Sequence, residues 1–260
     1  MIEKITTVEA GVRKLLDLRG RPVPDFRIEP RPAGEFHDIL VWNGQRIPLF
    51  DTHFDARLYR MTAYGAEADK NCTLNVYSFE GCDVPPDDLV YRELDIAELL
   101  LHSPLRKVTA FSNGAAVDLI AVMENTCCAN IDLGCTMAPG SVNQCQHRLI
   151  TQHGMACDRG AGDMVASHEL YVFGQGAAEP VIYNDDEYYL YGLDDRQVAR
   201  VLAIHAILTA QKYPGRPEGA PDFWTEWAAR DVRLKKGVAA VRRSAETGCT
   251  VSLEEVSACA

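Results

Sequence analysis

Between Arg106 and Met137 the chain strings together three strand-like segments: "RKVTAF" at 106–111, "AAVDLIAVM" at 115–123 and "CANIDLGCTM" at 128–137. The last two are separated by only four residues, Glu124-Asn125-Thr126 and Cys127. A parallel pair needs a crossover of about a dozen residues or more, so these strands pair as an antiparallel hairpin. Further strands are expected at "CTLNVYSF" (72–79), "HRLIT" (147–151), "HELYVF" (168–173), "PVIYN" (180–184) and "TVSL" (250–253). A separate hairpin is expected in "DILVWNGQRIPLF", where Asn43-Gly44 supplies a tight two-residue turn between apolar runs.

Helices bracket these strands. Thr6-x-x-Glu9 reads as a capping box, and Val8, Val12, Leu15 and Leu16 then form one apolar stripe that Gly20 ends. Residues 21–36 hold five prolines or glycines and read as an irregular connector. From Asp87 to Leu101 the pattern is helical, with Leu89, Val90, Leu94, Ala97, Leu100 and Leu101 inward and Ser103-Pro104 as the stop. Residues 194–211 place Val198, Val201, Leu202, His205 and Leu208 on one face, and a long helix over 222–247 stops at Gly248. The order predicts an α+β fold, with a large, mostly antiparallel open β-sheet and helices packed on one face. No internal repeat or flexible linker breaks the chain, so residues 1–260 read as one domain.

Net charge narrows the function. At -11, with no cluster of Lys or Arg, the chain is poorly suited to nucleic acid or an anionic membrane surface. No apolar run approaches the ~20 residues that span a bilayer, and the N-terminus lacks the pattern of a secretory signal. A cytoplasmic location is expected. The nine cysteines are irregularly spaced and include no Cys-x-x-Cys. They read as free thiols rather than a disulfide framework or a structural zinc site.

A dinucleotide cradle is also missing. The pairs Gly160-Ala-Gly162 and Gly174-Gln-Gly176 have Val165 and Glu179 where a third glycine belongs, and no Walker loop occurs. No cofactor is expected to bind this chain alone.

The tail "KKGVAAVRRSAETGCTVSL" resembles the end of the Gfo/Idh/MocA oxidoreductases, the family of glucose–fructose oxidoreductase and inositol dehydrogenase. Its match is Ser244-Ala245-Glu246-Thr247-Gly248. The stretch "DDLVYRELDIAELLLHSPLRKVTAF" is similar to that family's Asp-x-x-x-His-x-x-Asp helix and the turn and strand after it. "AAVDLIAVMENTCCANIDLG" resembles its next hairpin, and "HRLITQHGMA" a strand-turn with Gly. Glu3-Lys4-Ile5, ahead of the first helix, is similar to the Glu-Lys-Pro junction that closes the family's Rossmann domain, with Ile5 in place of proline. The resemblance is good over 87–256, suggestive over 1–20 and poor over 21–86. It implies a C-terminal domain that begins where the Rossmann domain would finish.

The resemblance also implies roles. Lys4 and Asp88 would be catalytic, and Arg92 and Asp95 would contact substrate; His147, near a strand end of the sheet, is a further candidate for the substrate pocket on its position alone. NAD(P) would come through a Rossmann-bearing partner, the ligand would be a small carbohydrate, and the sheet face would form a homo-oligomer. Arg92 stands where the family's catalytic histidine belongs. That histidine takes a proton from a sugar hydroxyl as hydride leaves, and a guanidinium, always protonated, cannot.

Blander readings accompany these. Lys4 also fits a solvated lysine near a terminus, and Asp88 with Arg92 an i, i+4 ion pair. His147, His153 and His168 lie near strand ends, where surface hydrogen bonding is common. His205 suits a satisfied core residue, and Trp224 and Trp227 an inward-packing pair. If residues 51–55 are extended, Asp51, His53 and Asp55 share one strand face and suit a hydrolytic metal. Three functions therefore compete: a sugar or polyol oxidoreductase half, a non-catalytic carbohydrate-binding or assembly subunit, and a metal-dependent lyase or hydrolase acting on a carbohydrate.

Overall fold

The computed structural model describes residues 4–66, 71–141, 144–158, 169–184, 190, 192–209 and 223–256. The chain groups into two compact units: residues 1–56 with 186–227, and residues 57–185 with 228–260. Among the described residues no helix is long and apolar enough to cross a membrane.

The first unit is built on α1 (Val8–Leu18), a small sheet of β1 (Phe26–Glu29), β2 (Ile39–Trp42) and β3 (Gln45–Pro48), and α4 (Asp195–Leu208). The α1 cap is Thr7, whose hydroxyl accepts from the Ala10 N–H at 3.2 Å, so the cap falls one residue later than the Thr6-x-x-Glu9 reading. The hairpin forms at Asn43-Gly44, with φ of 48° and 74°, the left-handed pair that such a turn demands. The supposed connector holds a strand: Phe26–Glu29 pairs with β2, burying Phe26 despite the prolines around it. Val12, Leu15, Leu16, Leu40, Leu49, Val201 and Ile204 make the core. Gly11 lets α1 approach α4, because a Cβ there would lie 2.8 Å from Val201 Cγ2.

The second unit contains α2 (Ala56–Ala66), α3 (Pro86–Leu100), most of α5 (Phe223–Thr247) and a nine-stranded sheet. The strands are β4 (Thr73–Gly81), β5 (Leu105–Ser112), β6 (Ala116–Met123), β7 (Cys128–Met137), β8 (Gln144–Thr151), β9 (Gly154–Cys157), β10 (Glu169–Gly174), β11 (Val181–Asn184) and β12 (Val251–Ser252). Their spatial order is β11-β10-β9-β8-β4-β7-β6-β5-β12, antiparallel throughout except for the central β4–β7 pair. This is the α+β architecture read from the sequence. Helix α2 was not anticipated, and it occupies residues the sequence left unassigned.

One sheet face is closed by α3. Leu74 and Val76 of β4, Ala129 and Ile131 of β7, and Leu119 and Ala121 of β6 turn inward and are buried. Their neighbours one residue along, including Tyr77 and Ile120, face outward, as does Phe111 of β5. Helix α3 is buried almost all round, including Glu93, Asp95 and Glu98. Burying carboxylates is costly unless each meets a cation. Asp95 accepts from Arg230 Nε at 2.6 Å, and Glu98 from Arg233 at 2.6 and 2.7 Å, both arginines lying on α5. Glu98 also takes the Leu105 backbone N–H at 2.8 Å, where β5 begins. These pairs fix α3 against α5, and the third carboxylate, Glu93, faces the sheet.

Candidate functional site

The site lies on the inner sheet face, where β4 and β8 run antiparallel with Ser78 opposite Cys145 and Val76 opposite His147. Along β8 the alternation of a strand puts Cys145, His147, Leu149 and Thr151 on one side. Along β4 it puts Ser78 and Glu80 on the same side, both buried. Glu93 meets them from α3, and Asp158, directly after β9, meets them from the neighbouring strand.

Charge alternates through this cluster. Arg92 Nη1 donates to Glu80 at 3.0 Å, and its Nη2 to Ser78 Oγ at 2.8 Å. Its Nε and Nη2 both donate to Glu93 Oε1, at 2.9 and 2.7 Å. His147 Nε2 lies 2.8 Å from Glu93 Oε2, and His147 Nδ1 lies 2.6 Å from Asp158 Oδ2. Asp158 Oδ1 accepts the His147 backbone N–H at 2.7 Å. The Cys145 sulfur sits 3.6 Å from His147 Nε2 and 3.9 Å from Glu93 Oε1.

These neighbours set the ionisation. Burial works against the Glu93 carboxylate, but the Arg92 and His147 charges outweigh it and hold its pKa down to about 2. Burial likewise opposes a charged His147, yet the Cys145 sulfur and the Asp158 and Glu93 carboxylates raise its pKa well above 6.5. Asp158 is lowered against its burial by His147 and by the Arg57 charge. The Arg92 pKa is raised, burial being overcome by Glu93, Cys145 and Glu80. Both shifts favour the charged forms of Arg92 and His147.

Each residue singled out in the sequence can now be placed. Arg92 and His147 meet through Glu93. Asp88 stands in the first turn of α3, half-buried, and its charge reaches Cys135. Arg92, its i+4 neighbour, turns to Glu80, Glu93 and Ser78. Asp95 is held by Arg230, as above. Lys4 belongs to the first unit, where it is exposed and its Cγ lies beside Gly192.

The 51–55 segment is not extended. Thr52–Phe54 forms a 3-10 turn, so Asp51, His53 and Asp55 do not share a strand face, and the basis for a metal cluster there is removed. Asp51 and Asp38 instead bind Arg200, at 2.8 and 2.6 Å. His53 packs edge-on against Trp227, which is itself stacked on Phe50. His153 is at a turn beside Gln152, and His168 lies outside the described residues, as does the Gly160-Ala-Gly162 pair. Sequence reading missed Glu93, Cys145 and Asp158. Cys145-x-His147 on a strand was the legible clue, because that spacing sends both side chains to one face.

The nine-stranded, mostly antiparallel sheet closed on one face by α3 has counterparts among solved structures. It is the fold of the Gfo/Idh/MocA-type oxidoreductases. A levoglucosan dehydrogenase in complex with NADH and levoglucosan superposes with a TM-score of 0.57 at 13% identity, over 80% of this chain and 66% of that one. An NAD binding oxidoreductase from Klebsiella pneumoniae gives 0.56 at 15% identity, over 78% and 65%. An oxidoreductase from Agrobacterium radiobacter, in complex with NAD+, L-tartaric acid and magnesium, gives 0.53 at 14% identity, over 78% of this chain and 64% of that one. This chain therefore spans slightly under two thirds of the length of each of these three structures. No protein-family model matches the sequence, and no curated protein sequence does.

Proposed function

We propose that this chain is the substrate-facing and self-associating half of a sugar- or polyol-directed oxidoreductase, working with NAD(P) held by a Rossmann-type partner. The observation that carries the reading is the fold shared with NAD-linked dehydrogenases, together with Asp88 in the first turn, and Arg92 one turn on, of the helix that closes the sheet. In such a reaction hydride leaves a carbinol carbon for the nicotinamide while the hydroxyl proton passes to a base. Asp88 is the carboxylate at this helix end suited to accept or orient that hydroxyl. Arg92 contributes a fixed positive charge, which suits a hydroxyl-rich or anionic sugar.

Self-association is assigned to the outer sheet face. Tyr77, Phe111, Ile120 and Ile150 lie there with 43%, 62%, 45% and 39% of their surfaces exposed. Large apolar side chains gathered on one sheet face favour a partner surface, and a second copy of the chain is the simplest. A cytoplasmic location fits the free thiols of the described cysteines.

A second reading, a non-catalytic carbohydrate-binding or assembly subunit, is favoured by the three partners that already occupy Arg92. One experiment separates the two. Polyols, sugars and sugar acids are titrated into the protein by calorimetry, then assayed for NADH production with NAD and Rossmann-bearing oxidoreductases from the same source. The oxidoreductase reading expects turnover only in the mixture, falling about a hundredfold with Asp88→Asn. Binding without turnover would favour the assembly subunit, and neither binding nor turnover contradicts both.

A further inference from the structure

We infer that Glu93, Cys145 and His147 form a binding site for a divalent transition metal of the zinc class. The inference concerns the second unit alone and does not depend on the proposed oxidoreductase role.

Donor chemistry is the first support. A thiolate, an imidazole and a carboxylate make a mixed soft and borderline set, which selects zinc-like ions over magnesium or calcium. Among the described residues this is the one group of three such side chains whose ligand atoms all lie within 4.8 Å of one another.

Geometry is the second. With bonds of about 2.3 Å to sulfur and about 2.05 Å to nitrogen, a tetrahedral ion holds those two atoms about 3.6 Å apart. Cys145 Sγ and His147 Nε2 are 3.6 Å apart. The same ion needs about 3.5 Å between sulfur and carboxylate oxygen, and about 3.3 Å between nitrogen and oxygen. His147 Nε2 lies 2.8 Å from Glu93 Oε2, about half an ångström short of that value, and the Cys145 sulfur lies 3.9 Å from the other oxygen, Oε1, which Arg92 holds. The close nitrogen–oxygen contact lengthens as the ion replaces the hydrogen bond between them.

Support from behind the ligands is the third. A zinc-bound imidazole ordinarily donates its other N–H to a carboxylate, which fixes the ring. His147 Nδ1 has that partner in Asp158 at 2.6 Å. Glu93 is held through its other oxygen by Arg92. An ion-pair array explains the contact between Glu93 and His147, but it leaves unexplained a thiol set within 3.9 Å of both. Three protein ligands leave a fourth position for water or a hydroxyl-bearing ligand, the arrangement of catalytic rather than structural zinc. Cys145 itself is half-buried on β8.

The test is titration of the chelator-treated, full-length protein with cobalt(II), read by the near-ultraviolet charge-transfer band of a cobalt–thiolate bond. We expect one equivalent to give the band and one equivalent of zinc to abolish it. Cys145→Ser removes the band, Cys82→Ser and Cys249→Ser at exposed positions retain it, and Asp158→Asn keeps it while weakening affinity about 10- to 100-fold. In the unaltered protein, zinc should protect Cys145, but not Cys82 or Cys249, from alkylation as read by mass spectrometry. That measurement decides the matter even where Cys145→Ser does not fold. Absence of the band in the native protein, its survival in a folded Cys145→Ser variant, or alkylation of Cys145 unchanged by zinc would overturn the inference.

Discussion

His147 and Asp158 hold each other twice: the imidazole Nδ1 lies 2.6 Å from one carboxylate oxygen, and the His147 backbone N–H donates to the other at 2.7 Å. Asp158 follows β9, and its own N–H returns to the His147 carbonyl at 3.2 Å. A side chain fixed by its own backbone partner has little rotamer freedom. The ring therefore presents Nε2 to Glu93 with the orientation settled before any ligand arrives, as a preorganised site requires.

His205 behaves in the opposite way. It is 3% exposed in the first unit's core, and its Nε2 finds no hydrogen-bond partner among the described residues, so it is buried but not satisfied as the sequence reading expected. Burial, then the Arg19 and Arg21 charges, lowers its pKa below 6.5. Because the folded value is depressed, the stability it allows is full above pH 6.5 and is lost as pH falls through the lowered value. His205→Leu should stabilise the first unit by about 1 kcal/mol at neutral pH and flatten the loss toward acid. Urea denaturation followed by tryptophan fluorescence at neutral and mildly acidic pH reads both effects. A variant that is less stable, with the acid slope intact, would count against this account.

Ser244 shows why the tail motif has a serine. Its buried hydroxyl accepts the Ala110 N–H of β5 at 2.9 Å and donates to the Cys249 carbonyl at 2.6 Å. Gly248, at φ 67°, then reverses the chain so that Val251 pairs with Val108. Ser244→Ala leaves the buried Ala110 N–H without that partner, which should cost about 1 to 3 kcal/mol. Hydrogen exchange should show Ala110 losing protection selectively, whereas an unchanged Ala110 would mean the bond contributes nothing.

Gly154 begins β9 just after the β8–β9 turn, at φ 133°, where an added Cβ would lie 1.8 Å from the Phe173 carbonyl oxygen. Backbone cannot yield as a flexible side chain can. Gly154→Ala should therefore separate β9 from β10 and destabilise the second unit by about 3 kcal/mol or more. Thermal unfolding by circular dichroism measures this, and a variant within about 0.5 kcal/mol of the native protein would contradict the close approach.

The elements legible in the sequence were those whose local chemistry agrees with their tertiary setting. Strand β7 runs over Cys128–Met137, the residues read as "CANIDLGCTM", and Asn43-Gly44 makes its turn. Strand β1 was hidden by prolines, because its pairing with β2 comes from tertiary contact rather than propensity. The site was half legible. Arg92 and His147 were singled out, but Glu93 reads on paper as one more polar residue of a helix. Its burial depends on α3 being enclosed by sheet and α5, which no short-range pattern encodes. Asp158 becomes a partner of His147 only through the β8–β9 pairing.

The central structural claim is that Glu93 and Asp158 share one buried cation, His147, and a double-mutant cycle tests it most directly. In metal-free protein, Glu93→Gln and Asp158→Asn should each cost about 3 to 5 kcal/mol, as removal of one partner from a buried pair does. With both carboxylates gone the imidazole can become neutral, so the double variant should lose at least about 1 kcal/mol less than the sum of the two single losses. Losses that add to within about 0.5 kcal/mol would show that the two carboxylates act independently and would contradict the account.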